Sequence, residues 1–206
     1  MLAPKSCLFI LIVAPVILAL SATEIIDSLN TLTGQANQTT LVLDEILAQI
    51  GDEQLNVLES RGLLDETTTA YLNFADSMAE NPGSVVWDET VSALVFQSAD
   101  LHSRTFSIMG IALAESLPAF NKYGFYVDAC DDGVEIGLHA IALFTNLALK
   151  FPRENIALLL DGLFTNLRVP LADPLAAECF APLLGHLALR PGIHQLRQTQ
   201  SQTRRQ

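Results

Sequence analysis

Residues 23–50 read TEIIDSLNTLTGQANQTTLVLDEILAQI, and apolar or small side chains recur in this stretch at alternating intervals of four and three residues. Residues 84–117 keep the same spacing. Such a pattern lines one face of an α-helix, whereas a strand would alternate every second residue. We therefore expect two long amphipathic helices. Their apolar stripes are Ile25, Leu29, Leu32, Ala36, Thr39, Leu43, Ile46 and Ile50 in the first, and Trp87, Val91, Leu94, Ser98, Leu101, Thr105, Ile108 and Ala112 in the second.

Both stripes are small or hydroxylated in the middle, and this leaves two interpretations open. In the first, the helices pack closely and the hydroxyl groups bond to the backbone of their own helix. In the second, the small side chains leave space for a ligand inside a bundle.

A third helix is predicted for residues 53–80, where Arg61-Gly62 is a candidate kink or split. Asn81-Pro-Gly83 ends this helix, Ser84 is a candidate N-cap for the next, and Pro118 predicts a break. Residues 134–149 and 155–167 are apolar on nearly all sides, which favours a central antiparallel helical hairpin. A weaker last helix is expected from Pro174 to Leu189.

These elements predict an all-α protein, a single up-and-down bundle of five to six helices. The bundle domain would cover residues 22–190, and the Gln/Arg-rich residues 191–206 would be a disordered polar tail.

The first 21 residues predict the compartment. Lys5 precedes an apolar run of about 14 residues, which is shorter than the roughly 20 that a membrane span needs. Ala19 and Ser21 are small residues suited to cleavage before Ala22. Residues 1–21 therefore have the layout of a cleaved secretory signal peptide. No later stretch has the length of a membrane span without polar interruptions, so no integral span is expected.

Two cysteines remain beyond this leader, Cys130 and Cys179. In an oxidising compartment an even count favours one disulfide between them, and two buried free thiols are the alternative. Asn37-Gln38-Thr39 is a sequon for N-glycosylation at Asn37, which fits a secreted chain.

The charge distribution indicates which classes of partner the chain is able to bind. All 23 acidic residues lie between Glu24 and Glu178, and the formal net charge of the chain is −12. An acidic body repels phosphate backbones, so we expect no nucleic-acid partner.

Catalytic and metal-binding motifs are not found. The acidic run from Asp128 to Glu135 lacks EF-hand spacing, so Asp131 or Asp132 is better interpreted as a cap for the following helix than as a calcium ligand. The four histidines do not share a metal-ligand spacing, and neither a nucleophile elbow nor a phosphate loop occurs. We therefore expect no enzyme activity, no cofactor and no metal.

One segment, Leu117-Pro-Ala-Phe-Asn-Lys-Tyr-Gly124, resembles a turn of the fungal hydrophobic surface-binding proteins, which include cell-wall galactomannoproteins. A helix soon after the leader, here Thr23 to Leu32, is also similar to that family, and the resemblance covers residues 22 to about 171. The resemblance implies a secreted, all-helical protein of the fungal wall that adsorbs to hydrophobic surfaces or encloses a fatty acid.

The function predicted from these features is binding of a lipid or a hydrophobic surface outside the cell, with cell-wall components as further candidate partners. A structural or partner-binding wall protein without a ligand cavity is the alternative. The predicted interior helices carry no Lys or Arg between residues 134 and 149, so an enclosed ligand would be a long apolar chain. The candidate lining residues are Leu138, Ile141, Leu143, Thr145, Asn146, Leu159 and Leu163.

Overall fold

A computed structural model describes residues 20–80, 87–151, 165–166 and 174–183. These residues form four long helices and one short one, and no strand occurs among them. The helices are α1 (Ala22–Leu47), α2 (Glu53–Glu80), α3 (Glu89–Lys122), α4 (Tyr126–Ala148) and α5 (Pro174–Cys179). The predicted all-α bundle is thus confirmed. Most of the predicted leader, the second helix of the predicted hairpin except residues 165–166, and the predicted polar tail lie outside the described residues.

The four long helices run alternately up and down, and their order around the bundle differs from their order in the chain. Helix α1 packs against both α2 and α3, while α4 packs mainly against α2. Consequently α2 and α3, although consecutive, face each other across the bundle diagonal and meet mainly through large side chains. The core lies along the common axis of the four helices.

Helix starts are fixed by side-chain caps. Ser21 caps α1 in a reciprocal capping box, because its hydroxyl accepts from the Glu24 amide at 3.2 Å and its own amide donates to the Glu24 carboxylate at 2.7 Å. Asp88 caps α3 by accepting from the Val91 amide at 2.9 Å. The cap predicted from the sequence, Ser84, lies outside the described residues.

The predicted split of the helix at Arg61-Gly62 and the predicted break at Pro118 are both wrong. Helix α2 passes through Arg61-Gly62 without a break, and α3 continues through Pro118 to Lys122. A proline removes one backbone hydrogen bond from a helix. Here the flanking Leu117 and Phe120 are fully buried in the core, and their packing holds the last turn of α3 in place.

The predicted apolar stripe of α1 is confirmed from Ile25 to Ile46, whose side chains are all buried, while Ile50 lies beyond the helix and is exposed. The predicted stripe of α3 is confirmed in part: Thr105 and Ala112 are buried and Trp87 and Val91 pack against the core, whereas Leu94, Leu101 and Ile108 are exposed. The buried series of α3 lies next to it and consists of Val95, Ala99, His102, Phe106, Met109, Leu113, Ser116 and Phe120.

Helix α4 also begins earlier than predicted. It starts at Tyr126, two residues after Gly124, whose φ of +83° is a conformation that favours glycine. Asp131 and Asp132 therefore lie within the helix and do not cap it. Asp132 is half-buried toward α2.

Helix α5 is joined to α4 by the predicted disulfide. The sulfur atoms of Cys130 and Cys179 are 2.14 Å apart and their Cα atoms 5.2 Å apart. Beyond the disulfide, the Phe180 side chain lies against Gly133 and the Leu183 side chain against Gly137. The two glycines, four residues apart on α4, provide the space into which these side chains pack.

Candidate functional site

The middle of the bundle is occupied by a buried polar network centred on His102 of α3. Its Nε2 lies 2.5 Å from the Tyr71 hydroxyl oxygen on α2, and its Nδ1 lies 3.1 Å from the Thr33 hydroxyl oxygen on α1. The Phe106 ring packs edge-on against Tyr71, and the Phe144 ring of α4 lies beside the imidazole. Side chains from all four long helices therefore meet at this point.

The hydrogen bonds assign the tautomer of His102. The Thr33 hydroxyl donates to the Leu29 carbonyl at 2.7 Å, so its oxygen accepts from Nδ1–H of the imidazole. Nε2 is then the acceptor for the Tyr71 hydroxyl. Burial lowers the pKa of His102 to about 3 and raises the pKa of Tyr71 well above its ordinary value, so both groups are neutral at physiological pH.

This network is a satisfied structural centre and does not resemble a catalytic site. A general acid or base has to reach a substrate, and its pKa has to lie near the working pH. His102 and Tyr71 are both fully buried. The structure places His102 in the core of the bundle, where a substrate does not reach it.

The hydroxyl groups in the middle of the α1 and α3 stripes bond to their own helices. Thr33, Thr39 and Thr40 each donate to the carbonyl four residues earlier in α1, and Thr105 does the same in α3. The close-packing interpretation is therefore supported at Thr39 and Thr105, the two threonines of the predicted stripes.

The predicted ligand-lining residues do not form one surface in the described part of the chain. Leu143 is fully buried in the bundle core, whereas Leu138, Ile141 and Thr145 are half-buried along another side of α4. The Thr145 hydroxyl donates to the Ile141 carbonyl at 2.7 Å. Asn146 is half-buried as well, and the two remaining candidates, Leu159 and Leu163, lie outside the described residues.

The predicted glycosylation site is accessible only in part. Asn37 is exposed in the middle of α1, so a glycan would project into solvent. Thr39 of the same sequon is fully buried, and its hydroxyl is bonded within the bundle. Glycan transfer to Asn37 would therefore have to precede folding.

An acidic groove of about 490 Å³ lies between α2 and α4. It is lined by Leu58, Arg61, Gly62, Asp65, Asp128, Asp131 and Asp132. Arg61 pairs with Asp128 at 2.8 Å, and burial together with the neighbouring carboxylates of Asp65, Glu135 and Asp128 raises the pKa of Asp132 to about 6. Within the described residues no group of three or more His, Cys, Asp or Glu side chains is arranged to hold a metal ion.

Helix α3 exposes to solvent three large apolar side chains that the predicted stripe placed in the interior. Leu94, Leu101 and Ile108 are 52%, 54% and 57% exposed and follow one another at seven-residue intervals. They form a line about 21 Å long on the helix surface. We call these three residues the α3 outer face.

The α3 outer face carries no net charge. From Thr90 to Ala114 the only Asp, Glu, Lys or Arg residues are Asp100 and Arg104, which form an ion pair at 2.8 Å. Exposed apolar residues elsewhere, such as Ile50 in the α1–α2 connection and Leu55 in the first turn of α2, lie beside carboxylates in sequence. In a chain of formal net charge −12, an uncharged apolar stripe of this length is the surface best suited to contact another apolar surface.

None of the helices in the described residues has both the length and the hydrophobicity required to cross a bilayer. In comparisons with known proteins, no family model, no curated protein and no solved structure matches this chain.

Proposed function

We propose that this chain is a secreted protein that adsorbs to uncharged hydrophobic surfaces, outside the cell or at the cell wall, through the α3 outer face. The observation that carries the proposal is the exposure of Leu94, Leu101 and Ile108 in one line on a helix face without net charge. Isolated exposed leucines are ordinary on protein surfaces, but an aligned and uncharged set is typical of contact sites.

Two further features support the proposal. The disulfide between Cys130 and Cys179 is typical of an oxidising, extracytoplasmic compartment. The layout of residues 1–21 predicts export by the same route.

Adsorption through this face requires no ligand cavity. The central level of the bundle is filled by the imidazole of His102 and the rings of Tyr71, Phe106 and Phe144. A lipid held inside the bundle would have to displace this network, whereas α3 offers its outer face without rearrangement.

The test compares adsorption of the wild-type protein and a triple variant, Leu94→Ser/Leu101→Ser/Ile108→Ser, to polystyrene beads and to neutral phosphatidylcholine vesicles. Each half-exposed side chain contributes about 1 kcal/mol when the contact buries it, so the variant should adsorb roughly 100-fold more weakly. Circular dichroism should remain unchanged, because the three side chains contribute little to the core.

The matched control is Leu41→Ser/Leu55→Ser/Val127→Ser, which removes three side chains that are 65%, 62% and 65% exposed on other helices. This variant should adsorb like the wild-type protein. Equal losses in both variants would indicate non-specific hydrophobic adsorption. Wild-type protein that does not adsorb to either surface would contradict the proposal and favour a structural or partner-binding wall protein.

A further inference from the structure

We infer that two copies of this chain form an antiparallel dimer through the α3 outer face, with a two-fold axis at the level of Leu101. The inference rests on the proposed function in one respect, because the dimer covers in solution the face that a monomer uses for adsorption. Two features of α3 carry it: the spacing of the exposed apolar residues and the position of the two charges among them.

The apolar residues of the α3 outer face are spaced symmetrically about Leu101. Leu94 lies seven residues before Leu101, and Ile108 lies seven residues after it. In an antiparallel pair centred on Leu101, Leu94 of one copy is therefore level with Ile108 of the other, and the two Leu101 side chains meet at the axis. A two-fold interface uses the same patch on both subunits, and this face is complementary to itself in that sense.

The ion pair of α3 fits the same arrangement. At about 100° per residue, Asp100 and Arg104 both lie on one flank of Leu101. A two-fold axis perpendicular to the plane of the two helices brings this flank of one copy to the same side as that of the other. Asp100 of one copy then lies about 3 Å along the helix axis from Arg104 of the other, within reach of the long arginine side chain.

The charges also distinguish the antiparallel from the parallel orientation. In a parallel pair Asp100 would face Asp100 and Arg104 would face Arg104, and like charges in contact are unfavourable. The Arg104 side chain is 68% exposed, and its contact with Asp100 of the same chain at 2.8 Å uses only part of the five N–H donors of the guanidinium group. The other donors are able to bond the Asp100 carboxylate of a second copy.

The net charge of the chain restricts which faces of two copies can meet. Two molecules of formal charge −12 repel each other, so close contact requires a face without net charge, such as the α3 outer face. Three half-exposed side chains per copy present less area than the roughly 800 Å² per partner of a stable interface. The dimer is therefore weak: the face is covered in concentrated solution and free after dilution.

The first experiment is sedimentation velocity of the purified wild-type chain, with its disulfide intact, from about 10 μM to about 1 mM. We expect the mean mass to rise from that of a monomer toward twice that value. Leu101→Ser should weaken dimerisation about 30-fold, because each dimer loses two side chains at the axis. Leu41→Ser is the matched control, at a side chain that is 65% exposed on α1, and should dimerise like the wild-type chain. A monomeric wild-type chain, or equal losses in the two variants, would overturn the inference.

The second experiment exchanges charges between two chains. Asp100→Arg makes both charged positions positive and Arg104→Asp makes both negative, so each variant alone should be monomeric. An equimolar mixture should form a one-to-one heterodimer, because each arginine then meets an aspartate of the other chain. Neither variant keeps the ion pair within its own chain, so only contact between chains explains such a rescue. A mixture that stays monomeric would overturn the inference.

The third experiment tests the orientation of the two helices by oxidative cross-linking. A mixture of Leu94→Cys and Ile108→Cys chains should form a disulfide-linked dimer that contains one chain of each kind. Neither variant should cross-link with itself, because the two copies of each position lie at opposite ends of the contact. Cross-linking of Leu94→Cys with itself would indicate a parallel pair and overturn the proposed arrangement.

Dimerisation in solution and adsorption to a surface are separate measurements, so their failures are distinguishable. A wild-type chain that remains monomeric but adsorbs to polystyrene beads would overturn the dimer and leave the proposed function intact. A chain that dimerises but adsorbs neither to polystyrene nor to phosphatidylcholine vesicles would support the dimer and overturn the proposed function.

Discussion

The Tyr71 hydroxyl oxygen lies 2.5 Å from Nε2 of His102, and this hydrogen bond joins two helices that face each other across the bundle diagonal. The opposite nitrogen of the imidazole is bonded to Thr33 of a third helix. Because the ring is completely buried, both of its nitrogens depend on protein partners. His102 therefore fixes the relative positions of α1, α2 and α3 at one level of the bundle.

Tyr71→Phe should destabilise the protein, because it leaves Nε2 of His102 buried without a donor. We expect the free energy of unfolding to fall by about 1–3 kcal/mol in urea titrations followed by circular dichroism at 222 nm. Tyr123→Phe is the matched control, since the Tyr123 hydroxyl donates to Glu53 near the surface at 3.0 Å and water can replace that bond. The control should lose no more than about 0.5 kcal/mol, and equal losses would contradict the role of the buried network.

The double variant Tyr71→Phe/His102→Leu tests the same bond as a mutant cycle. Replacing both polar partners by apolar side chains removes the penalty for an unpaired group. The double variant should therefore be more stable than the sum of the two single variants predicts, by at least about 1 kcal/mol. Additive losses would indicate that Tyr71 and His102 stabilise the bundle independently.

The pKa of His102 makes stability depend on pH. Burial lowers this pKa to about 3, whereas an unfolded histidine has a pKa of about 6.5. Between these values the unfolded chain binds one more proton than the folded chain, so the contribution of His102 to stability is fully present above pH 6.5 and is lost as the pH falls toward 3. Urea midpoints at pH 7, 6, 5 and 4 should reveal this loss in the wild-type chain and a smaller one in His102→Leu.

The pKa of Asp132 changes stability with pH in the opposite direction to that of His102, over part of the same pH range. Burial and neighbouring carboxylates raise its pKa to about 6, from an ordinary value of 3.8. The folded chain therefore holds the extra proton between pH 4 and 6, and the stabilisation from protonated Asp132 is lost as the pH rises through 6. Asp132→Asn should stabilise the protein at pH 7 and have little effect at pH 3.5. It should also steepen the dependence on pH between 4 and 6, where Asp132 and His102 oppose each other in the wild-type chain.

The helical class and the stripe of α1 could be predicted because most of the large side chains in residues 23–46 lie on one face, with Leu41 as an exposed exception. Helix α3 has two adjacent 4,3 series, and both are rich in apolar residues. The predicted stripe is the series through Leu94 and Leu101, whereas the other series contains His102 in its middle. That series nevertheless holds the larger side chains, including Phe106 and Phe120, and it becomes the core once Tyr71 and Thr33 satisfy the histidine.

The α3 outer face could not be predicted, because it consists of residues that the predicted stripe placed in the interior. In the structure the side chains of Leu94, Leu101 and Ile108 are exposed.

The packing of α5 could not be predicted for a different reason. Gly133 and Gly137 look like weak points in a helix until the side chains that fill the space beside them are known.

Loss of the disulfide should lower stability substantially. Cys130 and Cys179 are 49 positions apart, and loop-closure entropy gives about 4 kcal/mol for a loop of this length. Cys130→Ser/Cys179→Ser should therefore unfold at a clearly lower urea concentration than the wild-type chain. The mature wild-type protein, denatured without reductant, should not react with a thiol reagent, and two reactive thiols would show that the disulfide does not form.

Alanine at Gly133 or Gly137 should weaken the attachment of α5. A Cβ atom at Gly133 would lie 2.4 Å from the Phe180 ring and 3.1 Å from Leu113, and one at Gly137 would lie 2.6 Å from Leu183. Phe180 follows the disulfide-bonded Cys179 directly, so its ring has little freedom to move away. We expect each substitution to lower the free energy of unfolding by about 1–3 kcal/mol in urea titrations.

Two other glycines are matched controls for this prediction. Gly34 in α1 and Gly62 in α2 lie inside helices, and a Cβ atom at either position would meet no atom within 4 Å. Gly34→Ala and Gly62→Ala should therefore stabilise the protein by about 0.5–1 kcal/mol through helix propensity alone. For Gly133→Ala and Gly137→Ala, the destabilisation caused by the clash with Phe180 or Leu183 should exceed this gain in helix propensity.

Phe180→Ala should restore a net gain in stability for Gly133→Ala and leave Gly137→Ala destabilising, because only Gly133 faces the Phe180 ring. Stabilisation by all four alanine substitutions in the wild-type background would mean that α5 does not pack against α4 in solution.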